Sequence, residues 1–284
     1  FAIQASAPPY PLFAIAFAVN GIGSAIINAQ GNAYVASLKK DSEMYMGMLH
    51  ASYGAGAFSA PLVATQFSQM PRWSFHYLVS MGIAVANLAS LVLVFRFRSL
   101  DECLGLVGES AGEKSTSDRS TFRQILSLKS VHLLSIFALI YVGVEVTIGG
   151  WIITYIIDVR HGGPSAGYIS SGFFGGLMIG RLALLWVSKV IGENRVLYLY
   201  AFLAIGYAFL FLAQNSTNCK LVRLELIVWF LPSLIGGAVA VSLVGVFLGP
   251  IYPIVMNRAA RAVPRWLLSP SIGWIAGFGQ TGSA

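Results

Sequence analysis

The sequence predicts an all-α fold, a polytopic bundle of membrane-spanning helices. Of its 284 residues, 56% are hydrophobic and only 10% are charged, whereas a soluble domain carries roughly 25% charged residues. So few charged side chains cannot cover the surface of a soluble protein of this size. The apolar residues also fall into eight long stretches, and a helix needs about 20 mostly apolar residues to cross a bilayer.

The eight predicted spans are separated by short polar segments. Residues 1–9 are expected to be the end of a further apolar segment, and the last span reaches Ala284 without a polar flank. We therefore expect an incomplete helical segment at each end of the sequence. The predicted spans are 11–37, 44–68, 74–95, 131–157, 164–190, 195–214, 225–256 and 267–284.

One long polar stretch divides the spans into two groups. Of the 29 charged residues, 11 lie between Arg96 and Lys129. The Gly- and Ser-rich middle of this stretch is typical of a solvated linker. The sequence therefore predicts a partial N-terminal bundle (1–97), a linker (98–130) and a partial C-terminal bundle (131–284).

The basic residues predict the orientation of the chain. When the loops are sorted onto alternate sides of the membrane, 14 of the 18 Lys and Arg residues fall on the side of the linker. Cytoplasmic loops are enriched in these residues, so the linker is predicted to be cytoplasmic in an integral, multi-pass membrane protein. The sequence does not distinguish the plasma membrane from the vacuolar membrane.

Several function classes are excluded. The net charge of +7 arises from basic residues scattered singly between apolar stretches, not from the one basic face of a nucleic-acid-binding fold. The two cysteines, Cys103 and Cys219, are predicted on opposite sides of the membrane and belong to no metal-binding pattern. Because no nucleotide-binding or hydrolase motif occurs and no two carboxylates share a span, we expect no enzyme, no cofactor and no metal.

Glu145 is the strongest candidate for a functional residue. It lies at the centre of its predicted span, whereas the other ten carboxylates lie in loops or at span ends. An ionisable group at that depth costs a few kcal/mol, so it usually faces a water-filled cavity or a partner. Glu145 is therefore predicted to bind solute or couple transport to protons, and the structural alternative is a hydrogen bond to a neighbouring helix.

Polar residues also recur along the first two predicted spans. Asn20, Ser24, Asn28 and Asn32 follow one another every four residues and so share one helix face. Such a stripe either lines a cavity for a hydroxyl-rich solute or holds two helices together. His50, on the second span, is a weaker candidate because a single intramembrane His near a helix end can simply anchor that end.

Glycines and prolines predict packing features in two later spans. Gly172, Gly176 and Gly180 form a repeat of small residues that lets another helix backbone approach closely. Pro250 and Pro253 interrupt the seventh span, and the backbone groups that they free must be satisfied by protein or water. A hinge or a cavity lining is expected there.

Three further stretches are distinctive: GIGSAIINAQGNAYVA (21–36), LHASYGAGAFSAPLVAT (49–65) and YVGVEVTIGGWIITY (141–155). They resemble the L-fucose-permease-like, sugar-transporting branch of the major facilitator superfamily, especially its fungal members. A further set resembles the cytoplasmic loop motif in the second half of that superfamily: Gly180, Arg181, Lys189, Gly192 and Arg195.

The resemblance implies twelve helices in two six-helix bundles around a central cavity, with the eight spans as helices 4–11. It also implies a monomeric secondary transporter of a small polar solute, a sugar, coupled to protons through Glu145. Asn28, which cannot titrate, stands where bacterial symporters of this branch typically have a protonatable Glu. The implied solute-binding residues are Asn28, Asn32, His50, Tyr141, Glu145 and Trp151.

Two alternatives to a working carrier remain open. The chain could be an incomplete or inactive transporter fragment, since helices 1 and 2, most of helix 3 and helix 12 would be missing. It could instead be a membrane receptor that binds the solute without moving it, and counterflow in liposomes would separate a receptor from a carrier.

Overall fold

The computed structural model describes residues 1–38, 40–108, 121–159, 161–192, 195–196, 198–200, 202 and 234–283. Every regular element in this part of the chain is helical, as the sequence predicts. We number the helices in chain order: α1 (Ala2–Ala5), α2 (Tyr10–Ser37), α3 (Ser42–Phe67), α4 (His76–Phe95), α5 (Leu100–Leu106), α6 (Thr121–Ser127), α7 (Lys129–Asp158), α8 (Gly167–Ile191), α9 (Leu234–Leu248), α10 (Ile251–Ala262) and α11 (Arg265–Gln280).

Four segments of the described chain are long and apolar enough to cross a membrane. They are Tyr10–Ser37, Trp73–Phe95, Lys129–Asp158 and Gly236–Ala262. The second, fifth and eighth predicted spans correspond to α3, α8 and α11, of 26, 25 and 16 residues. The sixth predicted span, 195–214, lies mostly outside the described residues.

The seventh predicted span, 225–256, differs from the observed helices. Its first part, 225–233, lies outside the described residues. The rest is split into α9 and α10 at Gly249 and Pro250, and α10 continues to Ala262. A proline disfavours helical backbone in the residue before it, so Pro264 explains why α10 ends at that point. Pro253 is tolerated because it is the third residue of α10, where its missing N–H would have no intrahelical partner.

The linker region contains two short helices. In α5 the side chain of Ser99 accepts a hydrogen bond from the Glu102 backbone N–H, and the Glu102 carboxylate accepts one from the Ser99 N–H. This reciprocal arrangement fixes the start of the helix. The middle of the predicted linker, 109–120, lies outside the described residues.

The core lies where α3, α7, α8, α9, α10 and α11 meet. Helix α3 packs along α8, α8 along α9, and α11 against both α7 and α2. Helices of the two predicted bundles are therefore in direct contact. By contrast, α4 buries none of its residues and exposes a mostly apolar surface, as expected for a helix that faces lipid. The largest fully buried apolar side chains of the core include Phe173, Met46, Ile156, Leu177, Met256, Ile272 and Ile275.

The glycine repeat of α8 forms a close backbone contact, as the sequence predicts. Gly172, Gly176 and Gly180 face α9, and their nearest neighbours are Ser242 and Val246. A Cβ atom on Gly176 would collide with the Ser242 carbonyl oxygen. The two helices can approach this closely only because these positions carry no side chain.

We therefore predict that Gly176→Ala lowers the thermal stability of the purified protein. Forcing a methyl group into this contact should cost about 1–3 kcal/mol, which outweighs the roughly 1 kcal/mol gain in helix propensity. Gly56→Ala on α3 is the matched control because no atom lies within 4 Å of its added Cβ. Equal unfolding temperatures for the two variants in detergent would show that α8 and α9 are not in close contact.

Candidate functional site

A buried ion pair joins α7 to α8. The Arg181 Nη2 atom lies 3.3 Å from Glu145 Oε1 and 3.4 Å from Oε2. The side chains retain only 2% and 8% of their exposure. Glu145 lies near the midpoint of the 30-residue α7, so the pair is placed deep within the spans, where charged groups are costly and usually functional.

The packing of α8 explains why the Arg181 side chain points toward Glu145. Successive helix residues are rotated by about 100°, so Arg181 projects away from the face of Gly180 that touches α9. Arg181 also lies one turn after Met178, and the Met178 backbone comes within 3.0 Å of a Cβ built on Gly54 of α3. The arginine therefore lies on the side of α8 that faces α3 and α7.

Arg181 also binds α3. Its Nη1 atom donates a hydrogen bond of 2.8 Å to the backbone carbonyl of His50. Its guanidinium lies 5.4 Å from the centroid of the Tyr53 ring, within the range of a cation–π contact. A single side chain thus connects three helices.

The asparagine stripe of α2 extends this network. Asn32 Nδ2 donates to Asn28 Oδ1 at 2.7 Å and to the Asn28 carbonyl at 2.8 Å. Asn32 Oδ1 lies 2.9 Å from His50 Nε2. An amide oxygen can only accept, so His50 must carry a proton on Nε2 and donate it to Asn32.

Two tyrosines, on α7 and α10, complete the cluster. The Tyr252 ring of α10 lies 4.9 Å from the His50 ring and 5.9 Å from the Tyr141 ring, measured between centroids. The Tyr141 hydroxyl donates a 3.0 Å hydrogen bond to the carbonyl of Leu248, at the end of α9. The last carbonyls of a helix lack intrahelical partners, so the break after Leu248 supplies this acceptor.

Two buried polar atoms of the cluster have no hydrogen-bond partner within the described part of the chain. They are Arg181 Nε and the Tyr252 hydroxyl. A buried polar group without a partner costs about 1–3 kcal/mol. The cluster therefore retains unfilled hydrogen-bonding capacity at these two atoms.

Most of the residues predicted to bind solute come together in this network. Asn28, Asn32, His50, Tyr141 and Glu145 are linked by the contacts above. Trp151 is not part of it. Its side chain remains 67% exposed, six residues beyond Glu145 on α7.

The predicted loop motif requires a correction. Gly180 and Arg181 do not lie in a cytoplasmic loop, because α8 continues to Ile191 and Arg181 is buried. Without Arg181, 13 of the other 17 Lys and Arg residues remain on the side of the linker, and the orientation stays a prediction. Gly192 and Arg195 follow the end of α8, and the side chain of Lys189 lies outside the described residues.

Tyr53 and Tyr252 were not predicted as site residues. Tyr53 lies three residues after His50 and so shares a helix face with it. This spacing is enough to place Tyr53 beside His50 from the sequence. Tyr252 lies between Pro250 and Pro253 at the interrupted span, where the sequence predicts a hinge or cavity lining. Its orientation depends on the helix break itself, which the sequence does not specify.

Comparisons with known proteins agree with this architecture. The family model described as Major Facilitator Superfamily matches residues 1–284. The chain is also 26% identical over 281 residues to "Bypass of stop codon protein 6" of Saccharomyces cerevisiae. That alignment covers 93% of this chain and 55% of the yeast protein, so the chain spans about half the length of this curated relative. No solved structure gives a significant match.

The contact between Asn32 and His50 generates a stability prediction. Asn32→Ala should destabilise the protein by about 1–3 kcal/mol, because the buried His50 N–H would lose its acceptor. Asn87→Ala on α4 removes the same side chain from an exposed position and should change the unfolding temperature little. If both variants unfold at the wild-type temperature, His50 and Asn32 are not hydrogen-bonded.

Proposed function

Because the chain belongs to the major facilitator superfamily, we propose that it is a secondary active transporter that moves a small polar solute by alternating access. The observation that carries this proposal is the buried network through Asn32, His50, Arg181 and Glu145. Buried polar and charged groups are rare within membrane-spanning helices, and they mark the paths of solutes and ions.

The position of the network also supports transport. It connects α2 and α3, assigned to the N-terminal bundle, with α7, α8 and α10, assigned to the C-terminal bundle. In transporters built from two related halves, solutes bind near the midplane between the halves, which then move relative to each other. A solute bound in this network would contact both bundles at once.

The proposed solute is a sugar, and the proposed transporter acts as a monomer. The amides of Asn28 and Asn32 offer the donors and acceptors that suit hydroxyl groups, and they lie next to His50. The resemblance of three sequence stretches to the L-fucose-permease-like branch also favours a sugar. Trp151 is left out of the proposed binding site because its side chain is exposed and lies apart from the network.

Protons are the proposed coupling ion, with Glu145 as the coupling residue. Among the described residues, Glu145 is the only Asp or Glu that is buried. A buried carboxyl between two moving bundles can bind a proton on one side of the membrane and release it on the other. Asn28 of α2 cannot take this role because a side-chain amide neither gains nor loses a proton at physiological pH.

A second contact between the bundles lies near the end that the charge count predicts to be cytoplasmic. Arg261 of α10 donates a hydrogen bond to Glu43 in the first turn of α3. These side chains are 58% and 35% exposed, and an exposed pair contributes about 0–1 kcal/mol. So weak a contact can break when the bundles separate at that end.

We predict that Glu145→Gln in the full-length protein retains solute exchange but loses accumulation driven by a pH gradient. Gln keeps the hydrogen-bonding shape of Glu but cannot carry a proton. Counterflow of a radiolabelled sugar in proteoliposomes measures exchange, and uptake under an inward proton gradient measures coupling. Asp158→Asn, at the exposed end of the same helix, should behave as wild type.

Counterflow tests transport, and uptake under a proton gradient tests proton coupling, so the two parts of the proposal can fail separately. Wild-type accumulation in Glu145→Gln would remove Glu145 from proton coupling. Saturable binding of a solute without any counterflow would identify a receptor and would refute transport.

A further inference from the structure

The Glu145–Arg181 pair imposes a charge constraint on proton coupling. Among the side chains that the structure describes, these are the only carboxylate and the only Lys or Arg that are buried. If Glu145 took up a proton and nothing else changed, the Arg181 cation would lose its counter-charge. Leaving one member of a buried ion pair uncompensated is strongly destabilising, so a second anion at Arg181 would greatly favour protonation of Glu145.

Arg181 retains hydrogen-bonding capacity that such an anion would fill. Its distances of 3.3 and 3.4 Å to the Glu145 oxygens exceed the 2.7–2.9 Å typical of strong charge-assisted hydrogen bonds. Its Nε–H and the nearby Tyr252 hydroxyl are buried without partners in the described part of the chain. Tyr252 is close enough to interact electrostatically with both members of the pair.

A carboxylate would satisfy these groups. Its two oxygens accept hydrogen bonds, and the planar guanidinium matches carboxylate geometry through two parallel N–H donors. A neutral hydroxyl would satisfy a single donor but would not replace the charge of Glu145. The neighbouring Asn28 and Asn32 amides lie on the His50 side of the same network, where they suit the hydroxyl groups of a solute.

We propose that the solute is a sugar acid, whose carboxylate replaces Glu145 as the partner of Arg181 while Glu145 takes up the co-transported proton. This inference rests on the proposed transport function. Before binding, the site holds Glu145 as an anion and Arg181 as a cation. After binding, it holds neutral Glu145, the Arg181 cation and one solute anion. One proton and one monoanion therefore enter together, and the loaded and empty sites carry the same net charge.

Other titratable groups surround the pair and must be considered. His50 and Tyr53 face it from α3, Tyr141 from α7 and Tyr252 from α10. The described side chains of α9 and α11 contribute no ionisable group. Tyrosines are neutral between pH 5 and 8, so His50 is the one other group whose titration the test must separate from that of Glu145.

Binding of matched probes to the purified full-length protein tests the proposal. The probes are D-glucuronate and D-galacturonate, compared with D-glucose and D-galactose, between pH 5 and 8. We expect at least one of the acids to bind more tightly than its neutral counterpart. Its affinity should rise by up to about tenfold for each unit that the pH falls, because one proton is taken up with each anion.

Four variants and one control variant assign this behaviour to residues. Glu145→Gln should bind the acid at least as tightly as wild type but without pH dependence, because Arg181 is already free. Arg181→Gln should lose the preference for the acid, and Arg181→Lys, which keeps the charge, should retain part of it. His50→Gln should retain the pH dependence. Arg98→Gln removes an exposed arginine and serves as the control for Arg181→Gln.

Several results would overturn the inference. These are tighter binding of the neutral sugars, no binding of either acid, or a preference for the acid that persists in Arg181→Gln. Loss of the pH dependence in His50→Gln but not in Glu145→Gln would also overturn it. Equal folded yields by size-exclusion chromatography show whether a variant is comparable with wild type, and Arg181→Lys provides the test if Arg181→Gln does not fold.

Transport in proteoliposomes distinguishes failure of this inference from failure of the proposed function. Uptake of the bound acid should respond to a proton gradient but not to a membrane potential imposed with valinomycin. Transport of neutral sugars alone would contradict the sugar-acid inference and leave the transporter proposal standing. Charge-selective binding through Arg181 without transport of any probe would contradict the transporter proposal alone.

Discussion

The buried ion pair between Glu145 and Arg181 is the constraint on which the rest of the structure depends. A guanidinium inside a membrane protein must be compensated, and here a carboxylate, a backbone carbonyl and an aromatic ring contact it while its Nε–H has no partner in the described part of the chain. Three helices can converge on one side chain only if they pack closely. The glycines of α8 and Gly54 of α3 permit that approach, so backbone packing and buried electrostatics are parts of one arrangement.

The interrupted helix after α9 completes this arrangement. The break at Gly249 and Pro250 leaves the Leu248 carbonyl for Tyr141 and directs Tyr252 toward His50. Groups from both predicted bundles thereby meet in one network. A network with unfilled donors and a long ion pair can exchange partners at moderate cost, which is what solute binding between moving halves requires.

Much of the fold follows from composition and periodicity. The apolar stretches predict the long helices, the glycine repeat predicts a close approach of another helix to α8, and the depth of Glu145 predicts a functional role. The partner of Glu145 could not be predicted, because it depends on how α7 and α8 are rotated about their axes. The Gly180-Arg181 pair resembles a loop motif, yet α8 extends ten residues beyond Arg181. Likewise, periodicity alone does not reveal that Trp151 lies outside the cluster.

The central claim is that Glu145 and Arg181 stabilise each other inside the protein. A double-mutant cycle of Glu145→Gln, Arg181→Gln and the combined variant measures this coupling from unfolding free energies. We expect each single substitution to cost about 3–5 kcal/mol, and the double variant to cost clearly less than the two together because no charge is left unpaired. If the two costs simply add, within about 0.5 kcal/mol, the residues do not interact and the account is wrong.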